Sequence, residues 1–482
     1  MSKTISISPF NRVEGDLKIK VEINDGRITD ARASGTMFRG FEQILKGHFP
    51  EDALVYTPRI CGICSISHSI ASSGALAAVS DTFVPSGNGR LAKNISHATE
   101  NTMSHITQFY VYFAPDLLRH EQLKYYPLIE KRLAHLKGES AKTIITERKR
   151  FLEILGLIGG KWPHTIAIQP GGITKSLDSS DIFRIHGVLK QFSTVVESVL
   201  LGMPTEDYLE IKSASDFDAV FLSGDNPASD LGLFYRFAVE AGLMTLGKGP
   251  GRFISGGCYP DKDGMPYIPS GYRNGVVSGI DLEKITESIQ YSFFDAPHRS
   301  SNPVLDASEP KWDKPNAYSW AKAPRYNGEV VEVGAIARQV ISGDPLVTDF
   351  ISKYGSTVFT RVFARLHEAV KLLRKMSGWI EQLDADESYY VRNTLKETAS
   401  GIGITEAARG ILGHWISVEG GRITNYQVIT PTGWNASPRD EKATPGALEQ
   451  ALINTAIEDE DNPVEIDHII RSYDPCLVCT VH

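Results

Sequence analysis

Residues 4–35 alternate apolar and polar positions with the period of two that a half-buried strand requires. Ile5 and Ile7, then Leu17, Ile19, Val21 and Ile23, fall on one face, and Asn24-Asp25-Gly26 supplies a turn between two such runs. An antiparallel hairpin sheet is therefore predicted at the N-terminus. From Ser65 the period becomes helical and the side chains small: Ile66, Ile70, Ala71, Gly74, Ala75 and Ala78. Small residues let a helix approach its neighbour closely around a buried site, although ordinary core packing explains them equally well. Residues 90–118 predict a long helix with Ile95, Met103, Ile106, Phe109, Tyr110 and Phe113 spaced for one buried face. Residues 141–158 predict a charged, partly exposed amphipathic helix, and further helices are expected over 180–202, 282–294, 358–382 and 386–400. The stretch 204–280, with short apolar runs between Gly, Asp and Pro turns, reads as a β-containing insertion. Residues 296–330 hold five prolines and read as loop wrapping the surface or a partner.

The fold class this implies is α+β, mainly a helical bundle with an N-terminal antiparallel sheet and a smaller β-containing insertion. Four regions divide the chain: 1–60, the sheet and the entry to a first cysteine pair; 61–203, a helical core; 204–330, β-containing and loop-rich; and 331–482, helical and C-terminal. At 482 residues the chain exceeds one simple core. Its 41% apolar and 22% charged residues are those of a globular protein, which excludes fibrous and disordered classes. A net charge of −8 argues against a nucleic-acid surface, which needs clustered Lys and Arg. No apolar run approaches the roughly 18 residues of a membrane span. Met1 to Pro9 is polar and alternating, unlike a signal peptide. With an odd cysteine count this favours a reducing compartment, the cytoplasm, with membrane association only through partners.

Four of the five cysteines lie in two Cys-x-x-Cys pairs at opposite ends, Cys61/Cys64 and Cys476/Cys479, while Cys258 stands alone. Two such pairs can supply four thiolates to one soft metal site, provided the chain folds back to join its ends. A zinc ribbon would space its pairs by roughly 15–20 residues. An iron–sulfur cluster is a second option, though neither ferredoxin spacing is present. Redox disulfides are a third, but neither pair sits in a β-α-β context. Spacing favours a tetrathiolate site and leaves the metal open.

The flanking residues carry more. The first pair reads Arg59-Ile60-Cys61-Gly62-Ile63-Cys64 with His68 four residues on; the second reads Asp474-Pro475-Cys476-Leu477-Val478-Cys479-Thr480-Val481-His482. Between and before them stand Arg12-Val13-Glu14-Gly15, Arg39-Gly40-Phe41-Glu42, Gly160-Lys161-Trp162-Pro163-His164 and Pro170-Gly171-Gly172. Then come Tyr318-Ser319-Trp320-Ala321-Lys322-Ala323-Pro324-Arg325-Tyr326, Glu406-Ala407-Ala408-Arg409-Gly410 and Pro431-Thr432-Gly433-Trp434-Asn435. In this order, from residue 12 to the final histidine, the chain resembles the large subunit of nickel–iron hydrogenases.

That resemblance implies a catalytic subunit splitting H2 into protons and electrons. Cys61 and Cys476 would be terminal nickel ligands, with Cys64 and Cys479 bridging nickel to an iron that carries carbon monoxide and cyanide. Arg409 would lie over the open side of the metals, where a surface ion pair with Glu406 is its ordinary alternative. Thr432, after Pro431, would donate its hydroxyl to a cyanide rather than merely cap a turn. Asp474 would pair with Arg409 and fix its fork. Glu14 would stand beside the Cys476 sulfur and carry the proton away, although a glutamate in a strand-edge loop is ordinarily solvated. His68, one turn after Cys64, could hydrogen-bond that cysteine's sulfur or be a satisfied core histidine. A magnesium would be held by Glu42, the Val428 carbonyl, the His482 imidazole and waters.

The resemblance further implies an obligate small subunit bearing iron–sulfur clusters, metal-insertion factors, and a maturation protease that cuts after the residue matching His482. Some positions depart from the family pattern: Ala408 replaces a proline, Ser104 an aspartate, Asp16 a histidine, and Ile63 a valine. Together with the short length they look like the cytosolic uptake and hydrogen-sensing branch. The readings to separate are an uptake enzyme, a sensor with the same site, and a metal-free structural subunit of the respiratory complex I type. The four cysteines disfavour the last.

Overall fold

The computed structural model describes residues 2–223, 229–306 and 308–482, so the parts of the 204–280 and 296–330 readings that fall on 224–228 and 307 lie outside the described residues. Ser2–Ile7, Leu17–Asn24 and Arg27–Gly35 form one antiparallel sheet in that order. Leu17, Ile19, Val21 and Ile23 are buried and alternate with more exposed residues, as the period of two requires. The two-residue turn between the second and third strands has Asp25 at φ 50° and Gly26 at φ 72°, the left-handed pair a tight hairpin demands.

The helical core is built on two long helices packed together, Gly87–Thr107 and Val358–Glu381. The Ser86 side chain caps the first, and a Thr357/Thr360 capping box starts the second. The first continues through a wide turn at Gln108–Phe113 into a tighter one ending at Arg119, so the predicted 90–118 element is one near-continuous rod. Glu139–Phe151, Ser179–Val195, Asp230–Glu240 and Val464–Tyr473 are further helices of this bundle. The predicted 141–158 helix is two, divided at Leu152.

Beside the bundle a second antiparallel sheet runs Ala399–Ala407, Gly410–Glu419, Arg422–Ile429, and the Ser65–Ala78 helix lies on it. The small residues of that helix are what permit the contact: a Cβ added to Gly403 would stand 1.9 Å from the Ala71 carbonyl oxygen and 2.3 Å from Ala75 N. A third sheet comprises Phe253–Pro260, Pro266–Asn274 and Val276–Ser278.

Three expectations need correction. Residues 282–294 are not helical: after a short turn at Leu282–Lys284, Ile285–Ser288 is a strand paired with Ala323–Tyr326 and Ser300–Ser301. The apolar Leu282, Ile285 and Ile289 imitate helical spacing, but the backbone bonds go to a distant strand. Residues 386–398 contain no helix either. Their carbonyls and amides serve other segments, with Tyr389 O accepting from Ile173 N, Thr394 O from Asp81 N, and Lys396 N donating to Val79 O. The 204–280 region is helical in its first part, at Thr205–Leu209, Ala214–Phe217 and Asp230–Glu240, and becomes sheet only from Phe253. Among the described residues no helix is long and apolar enough to cross a membrane.

The two ends of the chain meet. Glu14 pairs with Cys476 in a parallel bridge, its N–H reaching Pro475 O at 3.2 Å and its carbonyl accepting from Leu477 N at 2.6 Å. Gly15 has φ 79°, and a Cβ there would lie 2.8 Å from Val478 N, so this close approach excludes a side chain.

Candidate metal centre

Each cysteine pair sits at the start of a helical turn. Cys64 precedes the first turn of the Ser65–Ala78 helix, with Cys61 just before it after the Thr57–Arg59 turn. The first amides of that helix are claimed by a buried carboxylate: Ile66 N and Ser67 N donate to Glu100 at 2.8 and 2.9 Å, and Trp162 Nε1 joins at 3.1 Å. An anion at a helix N-terminus is favourable, so Glu100 anchors the segment that carries the first pair. The second pair follows the Val464–Tyr473 helix, which Asp474 ends in a left-handed conformation, and Cys476 precedes the short Leu477–Thr480 turn.

The four sulfurs converge. Cys61 Sγ lies 3.6 Å from Cys476 Sγ, Cys64 Sγ 3.1 Å from Cys479 Sγ, and Cys476 Sγ 3.0 Å from Cys479 Sγ. All four are at most 5% exposed and none is in a disulfide, whose sulfurs would be about 2.05 Å apart. Cys258 is buried elsewhere, in the main core. Hydrogen bonds to Cys476 and the other sulfurs, then burial, push the Cys64 thiol well above its ordinary range. For Cys479 burial is the larger cause. Four thiols so crowded can ionise together only around a cation, and an all-sulfur donor set suits a soft transition metal. The residues present therefore fit a thiolate-bound metal centre.

One permanent cation already faces the sulfurs. Arg409, 4% exposed, donates through Nε to the Asp474 carbonyl at 2.7 Å and through Nη2 to Asp474 Oδ1 at 2.9 Å. Burial opposes its charge, but Asp474 and the sulfurs of Cys476, Cys64 and Cys61 outweigh that and hold it protonated. Ser104 Oγ is 3.5 Å from Arg409 Nη1. Glu406 is not Arg409's partner; its carboxylate goes to Arg338 Nη1 at 2.7 Å.

Thr432 lies in the short Pro431–Asn435 helix, which starts with Pro431 and is capped by Thr430. Thr432 Oγ1 accepts from Cys476 N at 3.0 Å, leaving its own O–H free to donate. The Glu14 side chain is half-buried, and burial followed by the Cys476 charge raises its carboxyl above the usual range. His68 makes no hydrogen bond to Cys64 Sγ. Its Nδ1 meets His414 Nε2 at 3.1 Å, and His414 Nδ1 meets the Tyr426 hydroxyl at 2.8 Å. All three are buried, and His68 Nε2 is left without a partner.

Behind the sulfurs is a cluster of oxygens. Glu42 Oε1 accepts from Val428 N at 2.9 Å and lies 3.3 Å from His482 Nε2; Glu42 Oε2 lies 3.1 Å from Lys322 Nζ. Val428 thus meets Glu42 through its N–H, and in an antiparallel strand the same residue's carbonyl projects to the same side. Lys322 also reaches Asp306 and Gln427, both at 2.8 Å, with Glu287 3.9 Å away. Three carboxylates thus surround one ammonium. Burial pushes Glu287 up to about 8, with Lys322 opposing, and its Oε2 has no partner. A small cavity of about 20 Å³ lies among these groups, about the room one water or ion needs. An oxygen-rich, positively under-compensated site fits a hard divalent cation such as magnesium.

Every site residue named from the sequence thus falls in one of two adjoining clusters joined by His482, whose Nδ1 faces the Cys479 carbonyl at 2.7 Å. Sequence reasoning missed Glu100, His414, Tyr426, Asp306, Glu287 and Gln427. It also gave no role to Lys322, although that residue lay in a quoted motif; the other six carry no local pattern and become visible through their buried partners.

The chain matches the family described as Nickel-dependent hydrogenase over residues 39–143 and 143–482. It is 31% identical to the periplasmic [NiFeSe] hydrogenase large subunit of Desulfomicrobium baculatum, covering 99% of this chain and 94% of that one. It is 28% identical to the uptake hydrogenase large subunit of Rhodobacter capsulatus, over 100% and 95% of the two chains. A solved structure of the H2-activated Dm. baculatum [NiFeSe]-hydrogenase superimposes with a TM-score of 0.87 at 30% identity, covering 100% of both chains. The Ni-Fe-Se hydrogenase of D. vulgaris Hildenborough gives 0.86, also at 30% identity and with full coverage of both.

Proposed function

The chain belongs to the nickel-dependent hydrogenase family as a hydrogenase large subunit, an H2-oxidising oxidoreductase, and we propose the roles of its residues as follows. Cys61, Cys64, Cys476 and Cys479 would hold a nickel–iron centre, Cys61 and Cys476 through nickel and Cys64 and Cys479 through both metals, with carbon monoxide and cyanide on the iron. When bound, such a centre supplies the soft, redox-active site at which H2 separates into two protons and two electrons. The observation that carries this reading is the convergence of four buried sulfurs from segments 415 residues apart.

The chain's own groups handle charge and protons. Arg409, oriented by Asp474, balances thiolate charge and would be the donor nearest the bound centre. Thr432 fixes the Cys476 amide through its oxygen, and its free O–H would be available to a cyanide on the iron. Glu14 takes the proton from Cys476 Sγ toward solvent. The tautomer of His68 is set from behind: the Tyr426 O–H has His414 Nδ1 as its only acceptor among the described residues, so it donates there. His414 then carries its proton on Nε2 and gives it to His68 Nδ1, which leaves His68 with an Nε2–H, a donor suited to a sulfur ligand. Glu42, His482 and the Val428 carbonyl would hold magnesium, with Lys322 compensating the surplus carboxylates.

Five cysteines, four of them in the metal centre, leave no set for an electron-carrying cluster, which supports an iron–sulfur small subunit as obligate partner. The buried centre supports insertion of the metals by dedicated factors before the C-terminal turn closes. We read the physiological direction as H2 uptake in the cytoplasm, although one relative is periplasmic by name; cell fractionation tests the location. Infrared spectroscopy tests the centre itself: bands of metal-bound carbon monoxide and cyanide, with nickel and iron quantified in the same sample, are expected. Their absence from active enzyme would refute the reading.

A further inference from the structure

Outside the metal centre, and unused by this function, a cavity of about 380 Å³ lies between the Ser65–Ala78 helix, the Gly87–Thr107 helix and the Phe253–Pro260 strand. One face of the Gly87–Thr107 helix supplies its polar wall: Arg90, Lys93 and His97, at spacings that align side chains on one side. Ile70, Phe83 and Pro260 contribute apolar walls, and no carboxylate lines it.

The two cations have no anion. Arg90 Nη1 donates to the Lys262 carbonyl at 2.7 Å, and Lys93 Nζ donates to Ser73 Oγ at 3.0 Å and to the Gln169 carbonyl at 2.6 Å. Among the described residues neither makes an ion pair, and the nearby Lys262 ammonium is itself matched by Glu387 at 3.3 Å. Burial, then the Arg90 charge, lowers the Lys93 ammonium to about 7, as befits a cation lacking its counter-ion. Sheltered like charges without a partner are costly, and an anion from solution removes that cost.

His97 adds an acceptor. It is 2% exposed, and its Nε2 has no hydrogen-bond partner. The ring bonds to the Glu406 backbone carbonyl, which needs an N–H, so the proton is on Nδ1 and Nε2 offers a bare lone pair. Burial holds this histidine neutral. Lys93 and His97 are four residues apart, about 6 Å along the helix axis.

We propose that this cavity binds a small hydroxylated organic anion, its carboxylate or phosphate on Arg90 and Lys93 and its hydroxyl donating to His97 Nε2. The Arg90 guanidinium and the Lys93 amine beside it, which an arriving anion would hold protonated, call for the acidic group; the orphaned lone pair calls for a hydroxyl about one helical turn away, and the apolar walls accept a short carbon frame. The volume is at the small end of ligand sites.

The test is calorimetric titration of the intact hydrogenase complex with 4-hydroxybenzoate and glycerol 1-phosphate, which separate carboxylate from phosphate, and with benzoate and phenol as controls. At least one hydroxylated anion should bind saturably at one per chain, benzoate about tenfold more weakly than 4-hydroxybenzoate, and phenol not measurably. Arg90→Gln and Lys93→Gln should each weaken binding about tenfold or more, whereas Lys93→Arg should retain it. His97→Phe should abolish the preference for 4-hydroxybenzoate over benzoate. Saturation by neither hydroxylated anion, or affinity indifferent to loss of the charges, would overturn the proposal.

Discussion

Replacing Gly403 by alanine should disable the metal centre from a distance, through the packing of one helix on one sheet. The added Cβ would meet the Ala71 oxygen at 1.9 Å, Ala75 N at 2.3 Å and Gly74 C at 2.9 Å, all backbone atoms of the Ser65–Ala78 helix. Ordinary contact begins at 3.4 Å, so helix and strand must separate by about 1.5 Å along the shortest vector. No rotamer change can absorb this. Overpacking typically costs about 1–3 kcal/mol, and a clash between backbones belongs at the upper end. The displaced helix begins at Cys64, whose sulfur must stay close to Cys479, while the strand leads to Arg409. Gly74→Ala, with its new atom 3.2 Å from Gly403 Cα, should be milder. Gly156→Ala, where nothing lies within 4 Å in a helix, should be neutral or stabilising by about 0.4–1 kcal/mol. Thermal melting of the intact complex and its nickel content should rank Gly156→Ala at or above wild type, then Gly74→Ala, then Gly403→Ala with nickel largely lost. A Gly403→Ala enzyme with wild-type melting and full nickel would refute the argument that this contact sets the site.

Cys476→Ala should abolish nickel retention, since a methyl group cannot replace a thiolate; stoichiometric nickel with H2 oxidation in that variant would contradict the four-thiolate site. Glu14→Gln keeps size but cannot take a proton, so metal content and infrared bands should stay unchanged while H2-dependent dye reduction falls about a hundredfold or more. Near-normal turnover would mean that the proton leaves by another group. Tyr426→Phe removes the donor that orders the His414–His68 pair; carbonyl and cyanide bands should shift at unchanged nickel content, and unshifted bands would exclude the tautomer relay. Lys322→Met strands the buried carboxylates of Glu42 and Asp306 and should destabilise the complex by about 3–5 kcal/mol, read as a lowered melting temperature.

How much of this was legible depended on whether a residue's reason is local. The N-terminal hairpin follows from its alternation, and the helices at 65–78, 87–107 and 358–381 from the helical spacing of their apolar residues, although in all three helices most of the polar positions are buried as well. The 282–294 and 386–400 expectations failed for the opposite reason. Those segments donate and accept backbone bonds with strands and loops far away in sequence, as Ile285 with Tyr326 and Tyr389 with Ile173 show, and apolar spacing carries no information about such partners. At the site, the cysteines and the residues beside them were readable because spacing itself states the chemistry. Glu100, His414 and Tyr426 were not, because a buried carboxylate, imidazole or phenol has meaning only through the atom it touches.

The same contrast explains why so polar a set of side chains is buried in this chain. Arg338, fully buried, binds Glu368 Oε1 at 2.6 Å and Glu406 Oε2 at 2.7 Å, and donates to the Ala407 and Ala408 carbonyls at 2.8 and 3.0 Å. Those two carbonyls belong to the turn that immediately precedes Arg409. His105 Nε2 completes the Glu368 shell at 2.9 Å. A buried ion pair contributes little net stability, because desolvation cancels most of its attraction, so this network is weak as a source of stability. Its value is positional: removing any one member leaves an uncompensated charge, which makes the arrangement nearly all-or-none. Ala408 gives the turn no ring to fix its φ, as a proline would, and Arg338 holds its carbonyl instead. The guanidinium of Arg409 is then delivered to Asp474, whose backbone leads within two residues to Cys476. Charge pairs therefore position the cation over the sulfurs, while hydrophobic packing positions the helix and strands that carry them.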